Sequence, residues 1–154
     1  MPTTKKPRKR RPRSRVAVQR AVGGTAGEAP AAASLRRFAL AAATARAAIT
    51  LRVAGAAEAK RLNRKFRGKN YAANVLSFPY ASGSGDIVLC HSVIAKEART
   101  QGKTLRAHYA HLVVHGVLHL RGHDHLRKSD ASRMERMEIR ILRRLGFADP
   151  YTVK

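Results

Sequence analysis

Six of the chain's seven histidines fall between positions 108 and 125. His115 and His119 lie four apart, so on a helix turning about 100° per residue their rings project from one face one turn apart, as two ligands of one metal must. Gly122 then stops the helix and lets the chain double back, so that a third ligand, His125, can approach the same ion from outside it. This H-x3-H-x2-G-x2-H spacing is that of zinc hydrolases with three histidines and an open fourth position, where a bound water is ionised near neutral pH. Gly116 occupies the place where metalloproteases of the related pattern carry the glutamate that acts as general base.

Between Ala107 and Leu120 the strongly polar side chains are His108, His111, His115 and His119, with the hydroxyl of Tyr109. Projected at 100° per residue, His108, His115 and His119 fall within about 40° of one another amid Leu112, Val113, Val114, Val117 and Leu118. A helix so apolar is buried nearly all round, and its histidine stripe faces a pocket or a metal, because each unpaired imidazole in a core costs about 1–3 kcal/mol. One zinc per chain at His115, His119 and His125 is the expectation. His108 and His111 read as satisfied core residues, and His123 stays open between solvent, pocket lining and ligation. Asp124 reads as an acceptor that fixes a histidine tautomer, with general-base duty the lesser option.

The elements that must position this cluster are legible around it. Arg15 to Gln19 and Ile49 to Val53 read as strands, with an Ala-rich helix from Ala31 to Arg46 between them and a loop at Gly23–Pro30 before it. Gly55 ends the second strand, and Ala56 to Arg67 reads as a helix with Leu62 and Phe66 on one face. Asn74–Phe78 and Asp86–Cys90 are strands separated by a Gly/Ser turn. Three helices follow. The first runs from Ser92 to Gln101 with Gly102 as its stop. The second runs from Leu105 to about Arg121 behind a Thr104 cap. The third runs from about Asp130 to Leu145 with a capping box of Ser132 and Glu135, and Gly146 ends it. The order implies an α/β (α+β) single domain, a small mixed four-stranded sheet packed with about five helices.

Charge narrows the partner. The chain has 32 Lys+Arg against 9 Asp+Glu, a net +23 and a pI near 11.7, which points to a polyanion such as nucleic acid. GC-rich coding, which favours Ala and Arg, is the competing source of that bias. Residues 1–15 hold eight Lys/Arg and no acid, broken by Pro2, Pro7 and Pro12, and read as a disordered basic arm; its boundary lies between 15 and 30. Residues 16–154 still carry +15, so the folded domain is itself basic. The arm is as much a solvated tail as an RNA-binding extension on this reading. A lone Cys90 fits a reducing, cytoplasmic setting, and no stretch is apolar enough for a membrane span or an export signal.

Three blocks carry a family resemblance. They are Leu62-Asn63-Arg64-Lys65-Phe66-Arg67-Gly68-Lys69 leading to Asn74-Val75-Leu76-Ser77-Phe78-Pro79, then Gly85-Asp86-Ile87-Val88, then His111-Leu-Val-Val-His115-Gly-Val-Leu-His119-Leu-Arg-Gly122-His123-Asp124-His125. With Leu145-Gly146-Phe147 they make residues 48–147 resemble the YbeY endoribonucleases, the zinc-dependent rRNA maturation factors of bacteria. The resemblance implies zinc ligands at His115, His119 and His125 and a functionally important arginine at Arg67. It departs from the family at Ala73, where a threonine is usual, and at His123, where a tyrosine is frequent. The arm before residue 16 lies outside the pattern.

The activity implied is hydrolysis of a phosphodiester in single-stranded RNA, in maturation of the small-subunit (16S) rRNA 3′ end and in ribosome quality control, with rRNA and the small ribosomal subunit as partners. Arg67 could present a bidentate fork to a phosphate, backed by RNA-binding Arg61, Arg64, Lys65 and Lys69. Two other readings stand beside it: a non-catalytic RNA-binding assembly factor with a structural zinc, and a zinc metalloprotease, disfavoured by Gly116.

Overall fold

The computed structural model describes residues 13–22, 28–123 and 127–152. Nine elements follow in chain order: β1 (Arg15–Arg20), α1 (Ala32–Ala42), β2 (Ala48–Ala54), α2 (Ala56–Arg67), β3 (Val75–Pro79), β4 (Gly85–Cys90), α3 (His91–Gln101), α4 (Leu105–Leu120) and α5 (Lys128–Arg144). The strands form one mixed sheet in the order β1-β2-β4-β3. β1, β2 and β4 run parallel, with Leu51 level with Ile87 and Val53 level with Leu89, and β3 closes the edge antiparallel to β4 with Ser77 opposite Ile87.

Alternation along the strands explains the layers. Ile49, Leu51 and Val53 of β2 and Ile87 and Leu89 of β4 share the face that packs on Leu35 and Phe38 of α1 and Val113, Val117 and Leu118 of α4. Ala54, Leu76 and Val88 belong to a smaller cluster with Leu62, Ala73 and Phe78, where α2 lies. α4, buried on almost every side, is the central strut: ten of its sixteen residues are buried. The domain is therefore the expected α/β sheet with five helices, and no helix of the described residues is long and apolar enough to cross a membrane.

Two expectations give way to tertiary demands. The Ala-rich helix ends at Ala42 rather than Arg46: Ala43 is already extended and Arg46 sits at φ 64°, because the chain must turn there for Ala47 to accept from the Arg15 N–H at 2.8 Å and start β2 beside β1. Helix propensity loses to that strand pairing. α5 begins at Lys128, its first turn closed by the Ala131 N–H on the Arg127 carbonyl at 2.8 Å. Ser132 is thus inside the helix, no side chain caps its start, and the Ser132/Glu135 capping box does not form. The Thr104 cap does, accepting from the Ala107 N–H at 3.1 Å. Of the proposed basic arm, residues 1–12 lie outside the described residues, while Arg15 pairs with Ala48 in the sheet and the Ser14 hydroxyl donates to the Thr44 carbonyl. Cys90 is fully buried, as a small apolar side chain would be.

Candidate metal centre

α4 brings its histidines to the site because Gly116 lets it lie against the sheet. A Cβ at Gly116 would stand 3.1 Å and 3.2 Å from the side chain of Ile87 and 3.2 Å from the Ser77 hydroxyl. That hydroxyl donates to the Gly116 carbonyl at 3.2 Å. The direction in which a glutamate would grow from position 116 is thus filled by β3 and β4. Close packing accounts for the glycine, since any larger side chain there would have to displace Ile87 or Ser77.

The rings of His115 and His119 converge. Their Nε2 atoms stand 3.1 Å apart. The Nδ1 of His115 lies 2.5 Å from Oε1 of Glu138, a fully buried residue of α5. Burial pushes the Glu138 carboxyl up, but donors from His111, His115 and Tyr151 outweigh it and hold the group ionised, at about 2. A carboxylate there takes the Nδ1 proton side of His115, leaving a lone pair on Nε2 that faces the second imidazole. Two such nitrogens at this distance share a proton or hold a cation. Tetrahedral zinc at about 2.0–2.1 Å from each ligand sets two nitrogens roughly 3.3 Å apart, so the donor set fits the ion.

The chain turns back directly after His119. Gly122 adopts φ 89°, its N–H donates to the His119 carbonyl at 3.0 Å, and the His123 N–H donates to the Leu118 carbonyl at 3.0 Å. These two bonds make a Schellman turn, which caps the helix and ends it at Gly122. His125 and Asp124 themselves lie outside the described residues. His123 is half-buried and lines a small cavity with Gly122, Asp130 and Arg133; burial, then the charges of Arg121 and Arg133, keep its imidazole below its ordinary pKa.

His111 departs from the core role expected of it. Its Nε2 is 3.2 Å from the Tyr151 hydroxyl and 3.6 Å from Oε2 of Glu138. His111, His115 and Glu138 together bring ligand atoms within 4.8 Å of one another, a second grouping that could hold a metal ion. Tyr151 donates to Glu138, and burial followed by that bond raises its hydroxyl well above the usual phenol range. His108 is the buried core residue expected but only half satisfied: its Nε2 is 3.0 Å from Oε1 of Glu97, while its Nδ1 is buried with no hydrogen-bond partner among the described residues.

Glu138 and Tyr151 went unread in the sequence. A signal for Glu138 existed, since Met134, Glu138, Ile141 and Leu142 form the buried stripe of α5 and an acid in such a stripe must have a partner. Tyr151 had none, being joined to the site only through the fold.

Arg67 ends α2, where Gly68 at φ 67° turns the chain and lets the Lys69 N–H close on the Asn63 carbonyl at 3.3 Å. Its Nη2 donates to the Ser77 carbonyl at 3.0 Å. Since Ser77 bonds in turn to Gly116, one strand residue links Arg67 to the helix turn that bears His115. Arg61, Arg64, Lys65 and Lys69 are exposed, with the Lys65 Nζ 5.3 Å from the Phe66 ring centroid. No hydrogen bond or ion pair among the described residues joins these four to the histidines.

Fold and site together define a small basic α/β domain with a histidine–carboxylate centre at one end of its buried helix. The family model described as Endoribonuclease YbeY matches residues 29–146, and the chain belongs to that family. It is 51% identical over 138 residues to the "Endoribonuclease YbeY" of Aromatoleum aromaticum, covering 87% of this chain and 90% of that one. It is 48% identical over 145 residues to that of Thiobacillus denitrificans, covering 91% and 97%. The solution structure of a Thermotoga maritima protein matches with TM-score 0.55 at 21% identity, over 90% of this chain and 99% of that one, which bears on the fold alone.

Proposed function

We propose that the chain is a zinc-dependent endoribonuclease that cuts single-stranded RNA in the cytoplasm, acting on the small ribosomal subunit in maturation of the 16S rRNA 3′ end and in ribosome quality control. The observation that carries the metal reading is the pair of Nε2 atoms of His115 and His119, 3.1 Å apart, with the far nitrogen of His115 on an ionised Glu138. Those two nitrogens, with His125 arriving from beyond the Gly122 turn, would hold one ion per chain. Zinc bound there supplies a Lewis acid to polarise a phosphoryl oxygen.

The chain's own residues do the rest. Glu138 accepts from His115 and so fixes its tautomer and ring orientation. Tyr151 donates to the other oxygen of Glu138, and His111, bonded to the Tyr151 hydroxyl, stands 3.6 Å from that oxygen; together they keep the carboxylate in that task. Arg67 spends one N–H on the Ser77 carbonyl, which holds the guanidinium plane in place and leaves its other donors for a phosphate beside the site. Arg61, Arg64, Lys65 and Lys69 extend that positive surface along α2, and the arm at 1–15 adds phosphate contacts without base readout. Asp124, beside His125, completes the set as an acceptor for a ligand imidazole.

One fact favours the second reading, a non-catalytic assembly factor with structural zinc: both oxygens of the centre's carboxylate are already engaged, one by His115 and one by Tyr151, and so it does not serve as a free base. A single assay separates the two. Purified protein is incubated with single-stranded and duplex RNA, with and without a chelator. Cleavage of the single strand that a chelator abolishes and one equivalent of zinc restores supports the enzyme; tight binding without metal-dependent cleavage supports the assembly factor. In the same assay Arg67→Lys keeps the charge but loses the fork, and is expected to slow cleavage about 10-fold, or about 1.4 kcal/mol, with metal content unchanged.

A further inference from the structure

The outer face of α5 carries a second basic surface, separate from the one along α2. Projected at 100° per residue, Arg133, Arg136, Arg140, Arg143 and Arg144 fall within an arc of about 100°, opposite the buried stripe of Met134, Glu138, Ile141 and Leu142. All five are exposed, and none of their side chains makes an ion pair or a hydrogen bond with the described residues. The acids of the helix, Asp130, Glu135 and Glu138, lie off the arc. With 1.5 Å of rise per residue the row is about 16 Å long. One end, at Arg133, borders the cavity next to Gly122 and His123, where the chain leaves His119. At the other, Arg136, Arg140, Arg143 and Arg144 line a shallow groove with Ile139, and Arg37 donates to the Leu145 carbonyl.

Composition and shape select the occupant. Surface arginines that served solubility would be mixed with acids, whereas five guanidinium groups in a row with no pairing acid among the described residues repel one another unless a polyanion lies across them. Arginine also suits phosphate oxygens through its planar fork. The arc holds no aromatic ring, and single strands are held by stacking platforms. An exposed, ring-free row of forks fits the phosphates of double-helical RNA, which is recognised by shape and backbone.

We propose that the arginine ridge of α5 is a docking surface for duplex RNA, gripping the helical part of a structured substrate whose single-stranded part reaches the metal centre. The proposal rests on the nuclease reading only for the fate of that single strand. α5 would then serve both tasks, with Glu138 on its inner face orienting His115 and the ridge on its outer face aligning the RNA.

The test compares the full chain with the triple variant Arg136→Gln, Arg140→Gln, Arg143→Gln, in which glutamine preserves helix propensity. Binding of a blunt RNA duplex of about 16 base pairs, and of a single strand of the same length, is measured across salt concentrations. Duplex affinity should fall at least 10-fold and the log–log salt slope should flatten by about 3, roughly one for each phosphate no longer neutralised, while single-strand affinity changes less than about 3-fold. The corresponding triple lysine variant should keep the slope. Unchanged duplex affinity overturns the proposal and leaves the ridge to an acidic protein surface. Equal loss on both RNAs also overturns it, since the ridge would then be a general attractor. Neither readout needs cleavage, so a chain that cuts no RNA would sink the nuclease reading without touching this one.

Discussion

Helix α4 carries two histidine–glutamate pairs seven residues apart, and they differ in which nitrogen meets the acid. His108 turns its outer nitrogen, Nε2, to Glu97 at 3.0 Å, and Glu97 is held in turn by the Asn74 amide at 3.0 Å. The inner nitrogen of His108 is left buried without a hydrogen-bond partner among the described residues. His115 turns its inner nitrogen, Nδ1, to Glu138 at 2.5 Å and presents Nε2 to His119 at 3.1 Å. Both rings are oriented by carboxylates from neighbouring helices. Only the second has its reachable nitrogen aimed at another imidazole nitrogen, and that orientation is what separates the proposed ligand from a core histidine.

The sharpest way to break this contrast is to remove the nitrogen that His115 faces. His119→Ala should drop zinc from about one per chain to well below it, and cut RNA cleavage at least 100-fold, while RNA affinity stays within several-fold because the basic surfaces remain. Elemental analysis and a cleavage assay read the two effects. Full metal content in that variant would mean that the alternative grouping of His111, His115 and Glu138 holds the ion.

The next largest effect comes from the two acids. Glu138→Gln should weaken metal affinity about 10–100-fold, because the amide can no longer draw the Nδ1 proton of His115 toward itself as a charged acceptor. Glu97→Gln should leave metal affinity unchanged and lower stability by about 1 kcal/mol, since Glu97 is partly exposed and its hydrogen bonds weaken without being lost. Metal titration alongside thermal melts distinguishes them. Equal losses of metal affinity would show that α4 transmits strain between the pairs.

How much of this was open to a reader of the sequence follows from distance along the chain. His115, His119 and the Gly122 turn lie within eight residues, so helical periodicity brought the two rings together and the glycine marked the end of the helix behind them. The strands and most helix ends were equally local, marked by Thr104, Gly102 and Gly146. What failed was non-local. α1 stops at Ala42 because β2 must meet β1, and the Ser132 box is absent because the helix already starts at Lys128. Glu138 stands 23 residues from His115, and the pairing depends on how α5 docks. The same docking turned His111, which looked like His108 in the sequence, into a neighbour of the centre.

The smallest effect concerns His108 and pH. Burial, opposed by its bond to Glu97 and aided by the charges of His111 and Lys103, keeps its imidazole below the ordinary value of 6.5. In the unfolded chain it titrates near that ordinary value, so between 6.5 and the folded pKa the unfolded state binds a proton that the folded state refuses. Stability from the neutral ring is therefore complete above about pH 6.5 and declines as pH falls, by at most about 1.4 kcal/mol per pH unit for one proton. His108→Gln removes that titration while keeping a donor for Glu97. The variant should be less stable at pH 7.5, with the gap to the parent closing as pH falls to 5. The candidate metal centre is unchanged in the variant, so its own acid sensitivity cancels in the difference. Melting curves that stay parallel across this range would show that His108 keeps the same proton affinity folded and unfolded, and the contrast between the two pairs would then rest on geometry alone.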